Sequence, residues 1–107
     1  MSDPRKIPKD DLERMCAQVA ASYGIERWGT HYSEQEAARL LIPPQRRPDL
    51  ADTSTLKRNR RGGRVPYVAY GKDRVQYMGE MLVHYILFGE KACLLWGGSD
   101  EGAQAAE

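Results

Sequence analysis

Residues 33–78 read SEQEAARLLIPPQRRPDLADTSTLKRNRRGGRVPYVAYGKDRVQYM, and this stretch decides the fold. Ser33 and Glu36 form an S-x-x-E capping box, and Ala37, Leu40 and Leu41 follow at helical spacing. That helix is short because Ile42-Pro43-Pro44 ends it: proline lacks an amide hydrogen and restricts the residue before it. Residues 43–52 (PPQRRPDLAD) predict an extended or turn-rich connection. Asp52 or Thr53 can cap a second helix, STLKRNRR, which Gly62-Gly63 terminates. Residues 65–70 (VPYVAY) and 74–77 (RVQY) are β-branched and aromatic, with Gly71-Lys72-Asp73 between them, the pattern of a β-hairpin. Pro66 confines the first of these strands to a sheet edge.

Outward from this stretch, helices flank it on both sides. On the N-terminal side, Leu12, Met15, Cys16, Val19, Ala20 and Tyr23 fall on one helical face, with Asp10 or Asp11 as candidate N-cap and Gly24 as the stop. The stripe fits packing on its own domain, and it also fits a dimer or partner interface. Residues 1–9 read as a loose arm and 25–32 as a connection anchored to the core by Trp28. On the C-terminal side, MGEMLVHYILFG is apolar enough for a core helix, and Gly89 ends it. KACLLWGG is a last apolar piece, and the tail SDEGAQAAE is expected to be disordered. The expected organisation is an arm and amphipathic helix in 1–30, a domain in 31–89, and an apolar segment with a tail in 90–107. The fold class is mainly α with a small β-hairpin.

Charge is segregated along the chain. Residues 39–74 carry ten Lys/Arg against three Asp/Glu, a net +7, while residues 1–38 carry five against seven and 75–107 one against five. The overall value of +1 hides this block. Clustered cations bind phosphates by displacing condensed counterions, which depends on local rather than total charge. A hydrophobic fraction of 41% is too high for a wholly disordered chain. Cys16 and Cys93 are too few and too far apart for a disulfide framework or a zinc spacing. His31 and His84 are the only histidines, and His84 reads as structural. No nucleophile–base pattern, paired-carboxylate signal or phosphate loop is visible, so no catalytic residue, metal or cofactor is expected. The polar first eleven residues carry two prolines and do not resemble a leader, and no apolar run is long enough for a membrane span. A cytoplasmic protein is expected.

The ordered set of pieces resembles the winged helix-turn-helix proteins of the excisionase and MerR-like group. The resemblance covers about residues 32–88 and rests on Ser33-Glu34-Gln35-Glu36-Ala37-Ala38-Arg39-Leu40-Leu41, Thr53-Ser54-Thr55-Leu56-Lys57-Arg58, Gly63, Pro66-Tyr67-Val68, Gly71, Arg74-Val75-Gln76-Tyr77, Leu82 and Tyr85-Ile86. It implies a winged helix-turn-helix with an extra N-terminal amphipathic helix. It further implies duplex DNA as ligand and a role as transcriptional regulator or excisionase-type recombination directionality factor, of a mobile element for example, associated with the nucleoid. On that resemblance Ser54, Thr55, Lys57 and Arg58 meet base edges, and Thr53 caps the helix or meets a phosphate. Arg60 and Arg61 suit backbone phosphates, Arg64 is a further DNA-binding residue, and the hairpin tip, Lys72 to Arg74, suits the backbone or minor groove. Three departures stand out. The two helices are separated by residues 42–52 instead of a tight turn, and Arg46 and Arg47 in this insertion either extend the phosphate contact or accompany a looser helix pairing. Asn59 occupies a position where an aromatic residue is common, and Gln76 one where arginine is common. A homodimer or cooperative array on DNA is expected, with the N-terminal helix and Leu94, Leu95 and Trp96 as association surfaces. The alternative is a protein-interaction module of the same fold, such as a phage-type inhibitor or assembly subunit, using the N-terminal helix or residues 92–96.

Overall fold

A computed structural model of the protein describes residues 3–71 and 74–96. Four α-helices and three short strands follow in the order α1 (Lys9–Tyr23), β1 (His31–Ser33), α2 (Glu34–Leu40), α3 (Ser54–Arg61), β2 (Val68–Ala69), β3 (Val75–Met78) and α4 (Gly79–Phe88). Single 3-10 turns cover Pro4–Lys6 and Pro44–Arg46, and a longer 3-10 segment, Gly89–Trp96, follows α4. The protein is mainly helical with a small antiparallel sheet of order β1-β3-β2.

α1 starts one residue before the expected caps. Pro8 is its N-cap, and Asp10 and Asp11 sit inside the first turn, where carboxylates interact favourably with the helix dipole. Gly24 closes it in the left-handed region at φ 67°, as expected. The apolar stripe of α1 packs on α4, with Cys16 and Ala20 buried. At seven residues α2 is too short to be stable by itself. Its stability comes from the cap, where Ser33 Oγ accepts the Glu36 N–H at 3.1 Å, and from burial of Ala37, Ala38 and Leu40.

Two readings of the connection 25–32 need correction. Residues 31–33 form β1, which pairs with the central strand β3 in the register His31–Met78, Tyr32–Tyr77 and Ser33–Gln76. Three residues with no apolar alternation carry no strand signal, and the ladder with β3 supplies it. Trp28 does not anchor the core. It is 55% exposed, with the Arg27 guanidinium 5.7 Å from its ring centre. The chain is held at this point by neighbouring main chain instead. The Glu80 N–H donates to the Arg27 carbonyl at 3.0 Å. A Cβ on Gly79 would lie 1.7 Å from the Glu26 carbonyl oxygen, so only glycine fits where this connection crosses the start of α4.

The hairpin exists, with β2 limited to Val68–Ala69 on the sheet edge and Val65 and Pro66 buried ahead of it. The Tyr70 N–H donates to the Arg74 carbonyl at 2.9 Å across its mouth. Tyr77, Leu82, Val65, Val83 and Cys16 are the largest fully buried apolar side chains and join the sheet to α1 and α4. The 3-10 segment Gly89–Trp96 packs along α4 and against the Pro4–Lys6 turn, burying Pro4 and Ala92 and leaving Leu94, Leu95 and Trp96 half-buried. This apolar piece is therefore used inside the fold, as is the stripe on α1. No described helix is long and apolar enough to cross a membrane. The tip residue Lys72 and the tail expected to be disordered lie outside the described residues.

Candidate nucleic-acid interface

Helix α3 has two unlike faces. Leu56 is 4% exposed and points into the core. Asn59 Nδ2 donates to the Tyr85 hydroxyl at 2.9 Å, tying α3 to α4 at the position where the resembled family commonly has an aromatic residue. Arg60 Nε donates to Glu34 Oε2 at 2.8 Å and its Nη2 to Oε1 at 3.3 Å. Positions 56, 59 and 60 lie at i, i+3 and i+4, so they form one anchored face. The other face carries Ser54, Thr55, Lys57, Arg58 and Arg61, all exposed. Among the described residues, no ion pair holds Lys57, Arg58 or Arg61.

The start of α3 is capped by Asp52, whose Oδ1 accepts the Ser54 N–H at 2.9 Å. Hydrogen bonds from Ser54 hold that carboxyl below the usual range. Thr53 occupies the N-cap position, half-buried and with no side-chain cap bond. At the other end the Arg64 N–H returns to the Asn59 carbonyl at 2.8 Å, with Gly63 at φ 72° making the turn. Arg64 is exposed, its Nε 3.3 Å from Asn59 Oδ1. Arg74 is exposed beside the hairpin mouth, and Arg46 is exposed on the insertion. The exposed cations along α3 are Lys57, Arg58 and Arg61, and Arg64 in the following turn, Arg74 in the hairpin and Arg46 in the insertion, also nominated from the sequence, are exposed as well.

Two of the cations singled out in the sequence are engaged inside the fold. The Arg47 guanidinium donates to the main-chain carbonyls of Tyr23 at 2.9 Å, Arg39 at 3.0 Å and Ile42 at 3.1 Å. It adds a charged donor to carbonyls at the ends of α1 and α2, where a helix C-terminus leaves carbonyls without intrahelical partners. Arg60 is engaged by Glu34 as described. The insertion itself is fastened down: Arg39 Nε donates to the Pro48 carbonyl at 2.8 Å and Gln35 Nε2 to the Ala51 carbonyl at 2.6 Å. The longer connection therefore does not loosen the junction between α2 and α3. None of these partners has a sequence signal, because each pairs residues 5 to 26 positions apart through side chains that also suit a solvated surface.

A second polar cluster lies under α1 and α4. Glu80, 4% exposed, receives Arg27 Nε at 2.6 Å on Oε1 and Arg27 Nη2 at 2.9 Å on Oε2. His84 Nε2 lies 3.2 Å from Glu80 Oε2, and His84 Nδ1 accepts the Trp96 indole N–H at 2.9 Å. Cys16 Sγ is close enough that Cys16, Glu80 and His84 have the proximity of a metal-ligand trio. Their hydrogen bonding argues against a metal there. Trp96 can only donate, so the imidazole proton sits on Nε2, the nitrogen a metal would need. Burial, with the Glu80 charge, pushes the Cys16 thiol up to about 12. Arg27 already neutralises Glu80. The cluster is a satisfied polar lock between α1, α4, the Trp28 connection and the C-terminal 3-10 segment.

No protein-family model matches the chain, and no curated protein or solved structure matches it significantly.

Proposed function

We propose that the protein is a winged helix-turn-helix protein that binds duplex DNA without catalysis, as a transcriptional regulator or an excisionase-type directionality factor. The observation that carries this reading is the division of α3: Leu56, Asn59 and Arg60 are anchored, while Ser54, Thr55, Lys57, Arg58 and Arg61 stand together in solvent. A helix that buries one leucine and exposes this set gains little from burial, and its free face suits a polyanion. In this reading α3 is the recognition helix. Its N-terminal residues Ser54, Thr55, Lys57 and Arg58 lie on base edges in the major groove. Arg61, Arg64 and Arg46 contact phosphates. The β2–β3 hairpin is the wing, with Arg74 on the sugar-phosphate backbone. Arg47 and Arg60 drop out of the contact set because the fold uses their guanidinium groups.

One short recognition helix reads few base pairs, so selectivity requires a dimer or arrayed copies on DNA. The apolar residues nominated for self-association, Leu94, Leu95 and Trp96 and the stripe on α1, are buried or half-buried within the fold. The test is duplex binding across a salt series. About four to six phosphate contacts give a slope of log K against log salt near −4 to −5. A flat salt response, or no binding at low salt, would refute the reading. Light scattering on the DNA complex reports how many copies assemble.

A further inference from the structure

We propose that Glu34 is an intramolecular counterion that withholds Arg60 from DNA phosphates and fixes the recognition helix against the wing. The proposal rests on the DNA-binding reading above and concerns how that site achieves selectivity.

Glu34 is the first residue of α2, Arg60 lies near the end of α3, and Tyr77 is in the central strand β3. One carboxylate joins all three. Its Oε2 accepts Arg60 Nε at 2.8 Å and the Tyr77 hydroxyl at 2.6 Å, and its Oε1 accepts Arg60 Nη2 at 3.3 Å. The Arg60 and Glu34 side chains are 18% and 13% exposed, and Tyr77 is fully buried. The Arg60 guanidinium also lies 5.9 Å from the Tyr67 ring centre, at the entry to the wing. Burial pushes Glu34 up, but the bonds from Arg60 and Tyr77 outweigh it and hold the carboxyl below its ordinary range.

Arg58 and Arg61 on the same helix are exposed, so Arg60 is a cation in a phosphate-binding region that already has an anion. Moving it to a phosphate would strand a largely buried carboxylate and the Tyr77 hydroxyl, and breaking such a pair is costly. Arg60 therefore stays on Glu34 when DNA binds and releases no counterions. The carboxylate lowers sequence-independent attraction, and its three-way bond sets the helix-to-wing geometry on which base contacts depend. Glu34 is a positioning residue.

The experiment compares Glu34→Gln, Arg60→Gln and the double variant with wild type. Two probes are used: a duplex selected by the wild-type protein from a randomised pool, and poly(dI-dC). In Glu34→Gln the amide oxygen can still accept from Arg60 Nε and the Tyr77 hydroxyl, while the bond from Arg60 Nη2 and the charge are lost. Glu34→Gln is expected to bind poly(dI-dC) as tightly as wild type or tighter, with a salt slope steeper by about 0.9 for the one freed cation. Its ratio of selected to poly(dI-dC) affinity is expected to fall about tenfold. Arg60→Gln should keep the wild-type slope, and the double variant should return to it. A purely structural role would weaken both probes in parallel at unchanged slope, which overturns the proposal. So does a slope shallower by about 0.9 in Arg60→Gln, because Arg60 would then be a phosphate contact. If Glu34→Gln does not fold by circular dichroism, the Arg60→Gln slope decides alone. Wild type that binds neither probe removes the DNA reading itself.

Discussion

At the level of single residues, the proposed DNA-binding reading assigns different work to the exposed side chains of α3 and of the hairpin, and substitution can separate them. Arg58 is exposed in the helix and Arg74 beside the hairpin. Replacing Arg58 by Ala should relax sequence preference, at about 1–3 kcal/mol if its contact to a base is bidentate. Replacing Arg74 by Ala should weaken selected and unrelated duplexes alike. A panel of single-base variants of a selected site tells the two apart, and identical profiles would show the division to be wrong. Gly79 is a different kind of residue, needed for space rather than for contact. The Glu26 carbonyl sits where a Cβ would have to be. Gly79→Ala should therefore destabilise by about 1–3 kcal/mol or more, since main chain cannot yield as a side-chain tip does. Denaturant unfolding measures it. An unchanged midpoint would mean that the connection can move aside.

At the level of elements, the insertion between α2 and α3 departs from the resembled pattern, and side-chain hydrogen bonds tie it to α2. Arg39, Gln35 and Arg47 each donate to main-chain carbonyls in or beside it. Arg47→Ala should leave several carbonyls without their charged donor. Losing hydrogen bonds of this kind costs about 1.5–3 kcal/mol. On the proposed reading the same variant should keep the wild-type salt slope on DNA, because the Arg47 guanidinium it removes is held by main-chain carbonyls. Thermal melts and a salt series on one preparation test both halves, and a slope that becomes shallower would return Arg47 to the contact set. β1 shows the converse lesson about short elements. It is three residues long and silent in sequence, and exists because β3 offers it a partner.

At the level of the whole molecule, the cluster around Glu80 couples stability to pH. Burial pushes this carboxyl up, but the hydrogen bonds from Arg27 and His84 outweigh it and bring it from 4.5 to about 2. The unfolded chain therefore takes up the proton first on acidification. The stabilisation from this group is complete above about pH 4.5 and is lost progressively as pH falls toward about 2. Glu80→Gln should lower stability at neutral pH and flatten the acid limb of the stability curve. Urea midpoints measured at steps of pH check this, and an acid limb unchanged by the substitution would assign the effect to other carboxylates. The cluster also links α4 to the C-terminal 3-10 segment, because the Trp96 indole donates to His84 Nδ1. The same variant should therefore loosen that segment, which tryptophan fluorescence reports.

Local rules carried most of the secondary structure. The Ser33 cap, the prolines after Ile42, the Gly62-Gly63 and Gly89 stops and the aromatic-rich hairpin each act within a few residues, so their consequences are readable along the chain. The basic block was legible for the same reason, since charge density along the sequence needs no fold. Tertiary structure alone decided which cations remain available. Arg47 and Arg58 look alike in sequence, yet Arg47 meets carbonyls from two helix ends and Arg58 meets solvent. The same holds for Glu34, which becomes a counterion only when α2, α3 and β3 converge on it. A long charged side chain takes the nearest complementary group. Which group is nearest depends on packing between segments far apart in the chain, and no local pattern encodes that.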